Sequence, residues 1–188
     1  QTNRALFREN LQRIGILMGY EISQHLVYDT KQIKTPLGTH NQPILKDEVV
    51  IVTILRAGLP LHNGFLQAFP KSENGFVSAY RKHKSDGTFE IKVGYVTCPD
   101  LTDKVLILND PMLATGASFE NALIALRPFG LPKEVHLAAV IASQPGINHL
   151  DSVLPEDSKI WVVDIDPELN ADKYIVPGLG DAGDLAFG

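Results

Sequence analysis

The sequence predicts an α/β fold, a doubly wound and mostly parallel sheet, on three observations. Unbroken runs of apolar, β-branched residues recur along the chain, as in "VVIVTIL" at 49–55, and such runs suit strands buried on both faces. Segments with the three- and four-residue spacing of amphipathic helices alternate with them. Glycine, proline and aspartate mark the junctions, as strand–turn–helix units require.

The elements follow in order. Phe7, Leu11, Ile14, Met18, Ile22 and Leu26 predict one long helix over about residues 4–27, inside an N-terminal segment 1–28. "KTPLGTHNQP" then reads as a polar connection to the strand at 49–55. "RAGLP" makes a turn before a helix over 61–69, and "GFVSAY" at 75–80 supplies the next strand, completing a β-α-β unit. Ser85, Asp86 and Gly87 form a turn between 79–83 and the alternating "TFEIKVGYV", which predicts a hairpin arm over 79–97. Strands at 104–110, 135–142 and 159–165 follow, separated by helices at 118–127 and 146–153, and a tail over 166–188 ends the chain.

At 188 residues, with 44% hydrophobic and 21% charged residues, one ordinary globular domain spanning 1–188 is expected. A net charge of -5 without runs of like charge lacks the footprint of a nucleic-acid binder. Cys98 is the only cysteine, so no internal disulfide forms; a reducing compartment is indicated and the thiol reads as packing. No apolar stretch is long enough for a bilayer and no signal-peptide pattern opens the chain, which makes the cytoplasm the default and leaves no membrane role. Histidines at 25, 40, 62, 83, 136 and 149 are scattered, arguing against a structural metal site, and His136 and Trp161 read as packing.

In doubly wound sheets, ligands bind beyond the carboxyl ends of the strands. One such end carries "LILNDPMLATGASFENAL", where a buried strand runs through Asp110 and Pro111 into Ala114, Thr115, Gly116, Ala117 and Ser118 and then a helix. Helix N-terminal amides, two hydroxyls and a glycine form a phosphate cradle, with Asp110 placed for sugar hydroxyls and held extended by Pro111. The plainer alternative is a strand-to-helix loop with a serine N-cap. An ATPase loop is excluded because no G-x-x-x-x-G-K-[ST] occurs. "GLGDAG" at 178–183 has the glycine spacing of a dinucleotide fingerprint, but so few residues follow Gly183 that no helix is expected to receive a pyrophosphate.

"LILNDPMLATGAS" resembles the 5-phosphoribosyl-1-diphosphate (PRPP) motif of type I phosphoribosyltransferases, in the form used by the uracil phosphoribosyltransferase family. "YIVPGLGDAGDLAFG" is similar to that family's uracil-binding tail, and "ILRAGLP" to its pyrophosphate loop. The resemblance implies the type I fold, with the 79–97 arm and the tail as a base-binding hood. It implies transfer of the phosphoribosyl group of PRPP to uracil, giving UMP and pyrophosphate. Catalytic residues would be Arg56, Asp110 and Asp181. PRPP would be held by Arg56, Arg81, Asp110, Pro111, Met112, Leu113, Ala114, Thr115, Gly116, Ala117, Ser118 and Asp181. Uracil would meet Ile175, Gly180, Asp181 and Ala182, largely through main-chain groups. Mg²⁺ would arrive with PRPP, partly on Asp181. A homodimer or higher homo-oligomer, built on the first helix and the arm, and a GTP effector are also implied.

The chain departs from the wider phosphoribosyltransferase pattern at three places. Asn109 stands where many phosphoribosyltransferases have a second acid, which uracil enzymes commonly lack, so it favours that subfamily; Ala117 stands where glycine is usual, and Leu185 where many members carry a basic residue. The alternative function is a pyrimidine-responsive RNA-binding regulator of the same fold, which the acidic net charge and Asn109 disfavour.

Overall fold

The computed structural model describes residues 3–83 and 89–188, with 79–83 and 89–93 described by their backbone. The turn at Ser85, Asp86 and Gly87 lies outside the described residues. Helix α1 (Arg4–Ser23) starts at Asn3, whose side chain accepts the Leu6 N–H at 3.1 Å. It stops at Ser23 rather than near residue 27.

The stretch expected as a connection is instead an antiparallel hairpin of β1 (Tyr28–Thr35) and β2 (Gly38–Leu45). Its register is set at the turn, where the Thr35 hydroxyl donates to Gly38 O at 3.0 Å and accepts from Leu37 N–H at 3.3 Å. Every residue of the hairpin except Leu45 is exposed, so neither strand carries the apolar alternation that a sequence reading uses.

The main sheet begins with β3 (Val49–Leu55), followed by α2 (Leu59–Ala68), β4 (Glu73–His83), β5 (Phe89–Thr97) and β6 (Val105–Asn109). Next come β7 (Met112–Leu113), α3 (Ala117–Leu126), a 3-10 turn at Arg127–Phe129, β8 (Glu134–Ser143), α4 (Gln144–Val153) and β9 (Lys159–Asp166). A second small hairpin, β10 (Glu168–Leu169) with β11 (Ile175–Val176), and α5 (Ala182–Phe187) complete the tail. The strands lie in the order β5-β4-β3-β6-β8, with β9 on the far side of β8 and β7 beside the end of β8. All pairs are parallel except β4 with β5.

Strand alternation divides the core between two faces. Val50, Val52, Leu106 and Leu108 pack with Phe119, Ala122 and Leu126 of α3 and Leu150 of α4. Their neighbours Val49, Ile51, Val105 and Ile107 turn the other way, onto Met18 and Ile22 of α1 and Leu61 and Phe65 of α2. This two-sided burial is why the strands read as continuous apolar runs. At one edge Trp161 stacks on His136 and its Nε1 donates to His136 Nδ1 at 2.9 Å. Cys98 is half-buried, and burial pushes its thiol up to about 11, so it stays protonated. No described helix is long and apolar enough to cross a membrane.

Two glycines let α1 and α2 touch backbone to backbone. A Cβ on Gly15 would stand 2.3 Å from Leu61 O, and one on Gly64 would stand 2.2 Å from Gln12 O. Those neighbours are main-chain atoms and have no rotamer to yield. Gly64→Ala is expected to lower stability by about 1–3 kcal/mol through overpacking, read as a fall in the thermal unfolding midpoint.

Candidate active site

Four parallel strands end on the same side of the sheet and each delivers one part of a cleft. β3 leads through a cis Leu55–Arg56 peptide into Arg56 and Ala57, β6 into Asp110, β8 into Ser143, and β9 into the tail. The loop after β6 is held by its neighbours. Pro111 O accepts both Val140 N–H at 3.0 Å and Ile141 N–H at 3.1 Å, and the Ser143 hydroxyl donates to Ala114 O at 2.5 Å. Ser143 also caps α4 by accepting Gly146 N–H at 3.0 Å, so one buried hydroxyl ties the loop to that helix.

The loop turns into α3 at Gly116, which has φ 81 and is the N-cap. A Cβ there would adopt a left-handed conformation and stand 3.0 Å from both His149 Cδ2 and Leu150 Cγ. The serine-cap alternative is therefore corrected: Ser118 sits inside the first turn, and no side chain caps α3. Thr115 Oγ1 accepts the Ala117 N–H at a long 3.4 Å. An uncapped helix N-terminus carries partial positive charge and orphan amide donors, which is what an anion needs.

The tail folds back over this loop. Gly178 N–H donates to Asp166 Oδ2 at 2.9 Å, and Asp181 Oδ1 accepts Asp184 N–H at 3.0 Å, capping α5. The expectation that no helix follows Gly183 is thus overturned by α5, whose start lies within the glycine motif itself. The dinucleotide reading still lacks its frame, because the motif follows the two-residue β11 of a separate small sheet rather than a buried parallel strand. Arg8 of α1 secures the end of the tail, donating to Ala186 O at 2.5 Å and lying 5.8 Å from the Phe187 ring centre.

Between loop and tail lies a cleft of about 170 Å³. From the loop it is lined by Asp110, Met112, Leu113, Ala114, Thr115, Gly116 and Ser118, and from the tail by Gly180, Asp181 and Ala182. Twelve sequence positions predicted for PRPP and four for uracil therefore converge in large part. Pro111, Ala117 and Ile175 are not among the lining residues, and Ile175 is buried on β11. Arg56 stands at the rim with its Nη2 3.8 Å from Asp184 Oδ1, both side chains exposed. The Arg81 side chain lies outside the described residues. Sequence reasoning missed Ala57, Phe119, Lys173, Tyr174 and Gly183 in the lining. Only the family tail motif pointed near Tyr174 and Gly183; Lys173 sits in a turn with no apolar pattern.

Asp110 is the electrostatic centre of the cleft. Burial pushes its carboxyl up to about 7, the Asp181 charge pushes the same way, and only the Met112 N–H, 3.4 Å from Oδ1, opposes them. Behind it, Asn109 is fully buried and its amide donates to Val52 O at 3.0 Å.

Comparison with known proteins shows the family and the fold. The family described as uracil phosphoribosyltransferase matches residues 1–188. The chain is 50% identical over 188 residues to uracil phosphoribosyltransferase of Porphyromonas gingivalis, covering all of this chain and 87% of that one. It is 38% identical over 196 residues to the enzyme of the same name from Metallosphaera sedula, covering all of this chain and 90% of that one. Among solved structures, a protein from Aquifex aeolicus superposes with a TM-score of 0.91 at 32% identity, over 100% of this chain and 88% of the other. A purine phosphoribosyltransferase from Pyrococcus horikoshii shares the fold, with a TM-score of 0.52 at 17% identity over 86% and 92%.

The raised Asp110 carboxyl has a consequence for stability. Its folded value near 7 lies above the ordinary 3.8, so its stabilising contribution is full below 3.8 and is lost as the pH rises through about 7. Asp110→Asn removes that loss. The ligand-free variant is expected to be more stable than the parent at pH 8 by roughly 1–3 kcal/mol, with the difference gone near pH 4, measured by denaturant unfolding.

Proposed function

This chain belongs to the uracil phosphoribosyltransferase family, and from that premise we propose that it transfers the 5-phosphoribosyl group of PRPP to uracil, releasing pyrophosphate and forming UMP. The observation that carries the assignment of roles is the uncapped N-terminus of α3 facing, across one cleft, the glycine-rich tail.

The α3 amides with the Thr115 and Ser118 hydroxyls hold the 5-phosphate and so fix the ribose. Asp110 accepts hydrogen bonds from the ribose hydroxyls. As the bond from C1 to the pyrophosphate oxygen breaks and the C1–N1 bond forms, positive charge grows on the sugar ring, and the nearby carboxylate stabilises it. Arg56, on the rim, takes the departing pyrophosphate through paired hydrogen bonds, exchanging its Asp184 contact for a phosphate contact. Arg81 is assigned a second PRPP contact.

Uracil lies under the tail, where the main chain at Gly180 and Ala182, with Ile175 behind, reads its carbonyl and N–H edge. Nothing stands within 4 Å of the space a Gly180 Cβ would take, which leaves that backbone open to a ring. Cytosine presents the wrong pattern of donors and acceptors and leaves buried groups unpaired. Asp181 is the carboxylate assigned to the N1 proton.

The cleft fits Mg²⁺ brought by PRPP. Among the described residues no group of three or more His, Cys, Asp or Glu side chains converges on a metal-sized space, whereas Asp110 and Asp181 line the cleft together. Mg²⁺ binds with few protein carboxylates and takes its remaining oxygens from phosphate and water, and when bound it would neutralise the pyrophosphate charge. Exposed Leu17 and Tyr20 on α1 favour self-association of the chain through that helix.

The test is UMP formation from uracil, PRPP and Mg²⁺, with cytosine, orotate and hypoxanthine in parallel. Product is expected from uracil alone. Arg56→Ala is expected to lower kcat/KM by about 10²–10³-fold, and Asp110→Asn by about 10²-fold or more, in steady-state assays. Full turnover in Asp181→Asn would remove both roles given to that residue.

A further inference from the structure

PRPP is a dense polyanion, yet the side chains lining the cleft are mostly uncharged or acidic. Asp110 and Asp181 contribute carboxylates, and the single cationic side chain among the described lining residues is Lys173. Arg56 stands outside that lining, against Asp184.

Lys173 reaches the cleft from a backbone position that suits glycine. The turn between β10 and β11 is closed by Lys173 N–H donating to Asn170 O at 3.0 Å and Asn170 N–H donating to Tyr174 O at 2.9 Å. The Asn170 side chain tightens it by accepting the N–H groups of Asp172 at 3.0 Å and Tyr174 at 2.9 Å. This geometry puts Lys173 at φ 65, in the left-handed region where a Cβ is disfavoured. No ion pair with a described residue engages its ammonium. A cationic residue that lines a cation-poor cleft, held at a backbone position that disfavours a side chain and with no ion pair among the described residues, calls for a ligand of opposite charge.

We propose that Lys173 binds the 5-phosphate of PRPP, and the same phosphate of UMP after transfer, from the tail side of the cleft. The assignment rests on the function proposed above, which places that phosphate at the loop of Ala114, Thr115, Gly116 and Ser118. Lys173 lines the same cavity as that loop, whereas the arginine assigned to pyrophosphate does not. The phosphate is thus held between helix amides on one side and an ammonium on the other, a point charge suited to a phosphate whose orientation the amides already fix.

Calorimetric titration with UMP, PRPP plus Mg²⁺, and pyrophosphate plus Mg²⁺ separates the outcomes. Lys173→Ala and Lys173→Gly are expected to weaken UMP and PRPP about five- to tenfold and leave pyrophosphate within about twofold, while Lys173→Arg keeps most of the affinity. The gap between parent and Lys173→Ala should narrow as salt is raised. Lys173→Gly relieves the left-handed strain and should melt no lower than the parent, so its weaker binding is not a folding defect. Unchanged UMP affinity in Lys173→Ala, or a loss confined to pyrophosphate, would overturn the assignment while leaving the function intact. A parent protein that bound neither UMP nor PRPP would overturn both.

Discussion

The arrangement of the cleft depends on one buried polar pair. Thr53 and Asn109 face each other in register on β3 and β6, both fully buried, with the Thr53 hydroxyl bonded to Asn109 Oδ1. The same hydroxyl lies 3.4 Å from Gly58 O, in the loop that carries Arg56, and Asn109 Nδ2 donates to Val52 O at 3.0 Å. Within three residues of this pair the two strands release Arg56 and Asp110. A buried, fully paired network fixes its geometry more tightly than apolar packing does, because any slip leaves a polar group unpaired. Asn109 suits the position as an acid would not: an amide can accept from Thr53 and donate to Val52, whereas a carboxylate would turn an oxygen toward that carbonyl. The departure from the acid pair of many phosphoribosyltransferases is therefore accommodated by the framework beneath the site.

The loop and the tail are held from outside the cleft, which leaves their inner surfaces for ligand. Ser143 on β8 grips Ala114, and the paired amides of β8 grip Pro111. Arg8, near the opposite end of the sequence, grips the end of the tail. No side chain caps α3, and so amides at its start remain available. The N-terminal helix consequently has two duties, covering one face of the sheet and anchoring the segment that carries Asp181.

The centre of the sheet was legible in the sequence because β3, β6 and most of β8 are buried on both faces, and burial leaves continuous apolar runs. The cradle was legible because a strand, an acid and a small-residue loop before a helix form a local pattern. What escaped was structure without an apolar signature. The β1–β2 hairpin has almost no buried residue, and α5 is a six-residue helix whose cap, Asp181, lies inside a glycine motif that reads as loop. Lys173 and Tyr174 escaped for a different reason: their presence in the cleft depends on how the tail folds back over α3, a contact between distant elements that no local spacing records.

The two carboxylates of the cleft explain why the ligand-free site is poised rather than merely open. Asp110, pushed up to about 7 by burial and by Asp181, is a carboxyl whose charge is costly in the empty protein. A group in that condition responds strongly to nearby positive charge, because its ionised form gains the most when a cation arrives in a poorly solvated place. On the proposed reaction that cation is the ribose ring at the moment pyrophosphate leaves. The interaction is then weaker with the neutral sugar of the bound substrate than with the charged sugar of the transition state. Such a difference, rather than tight binding throughout, is what lowers a barrier. The burial that makes Asp110 a liability to the fold is the same burial that makes it effective at the cationic centre.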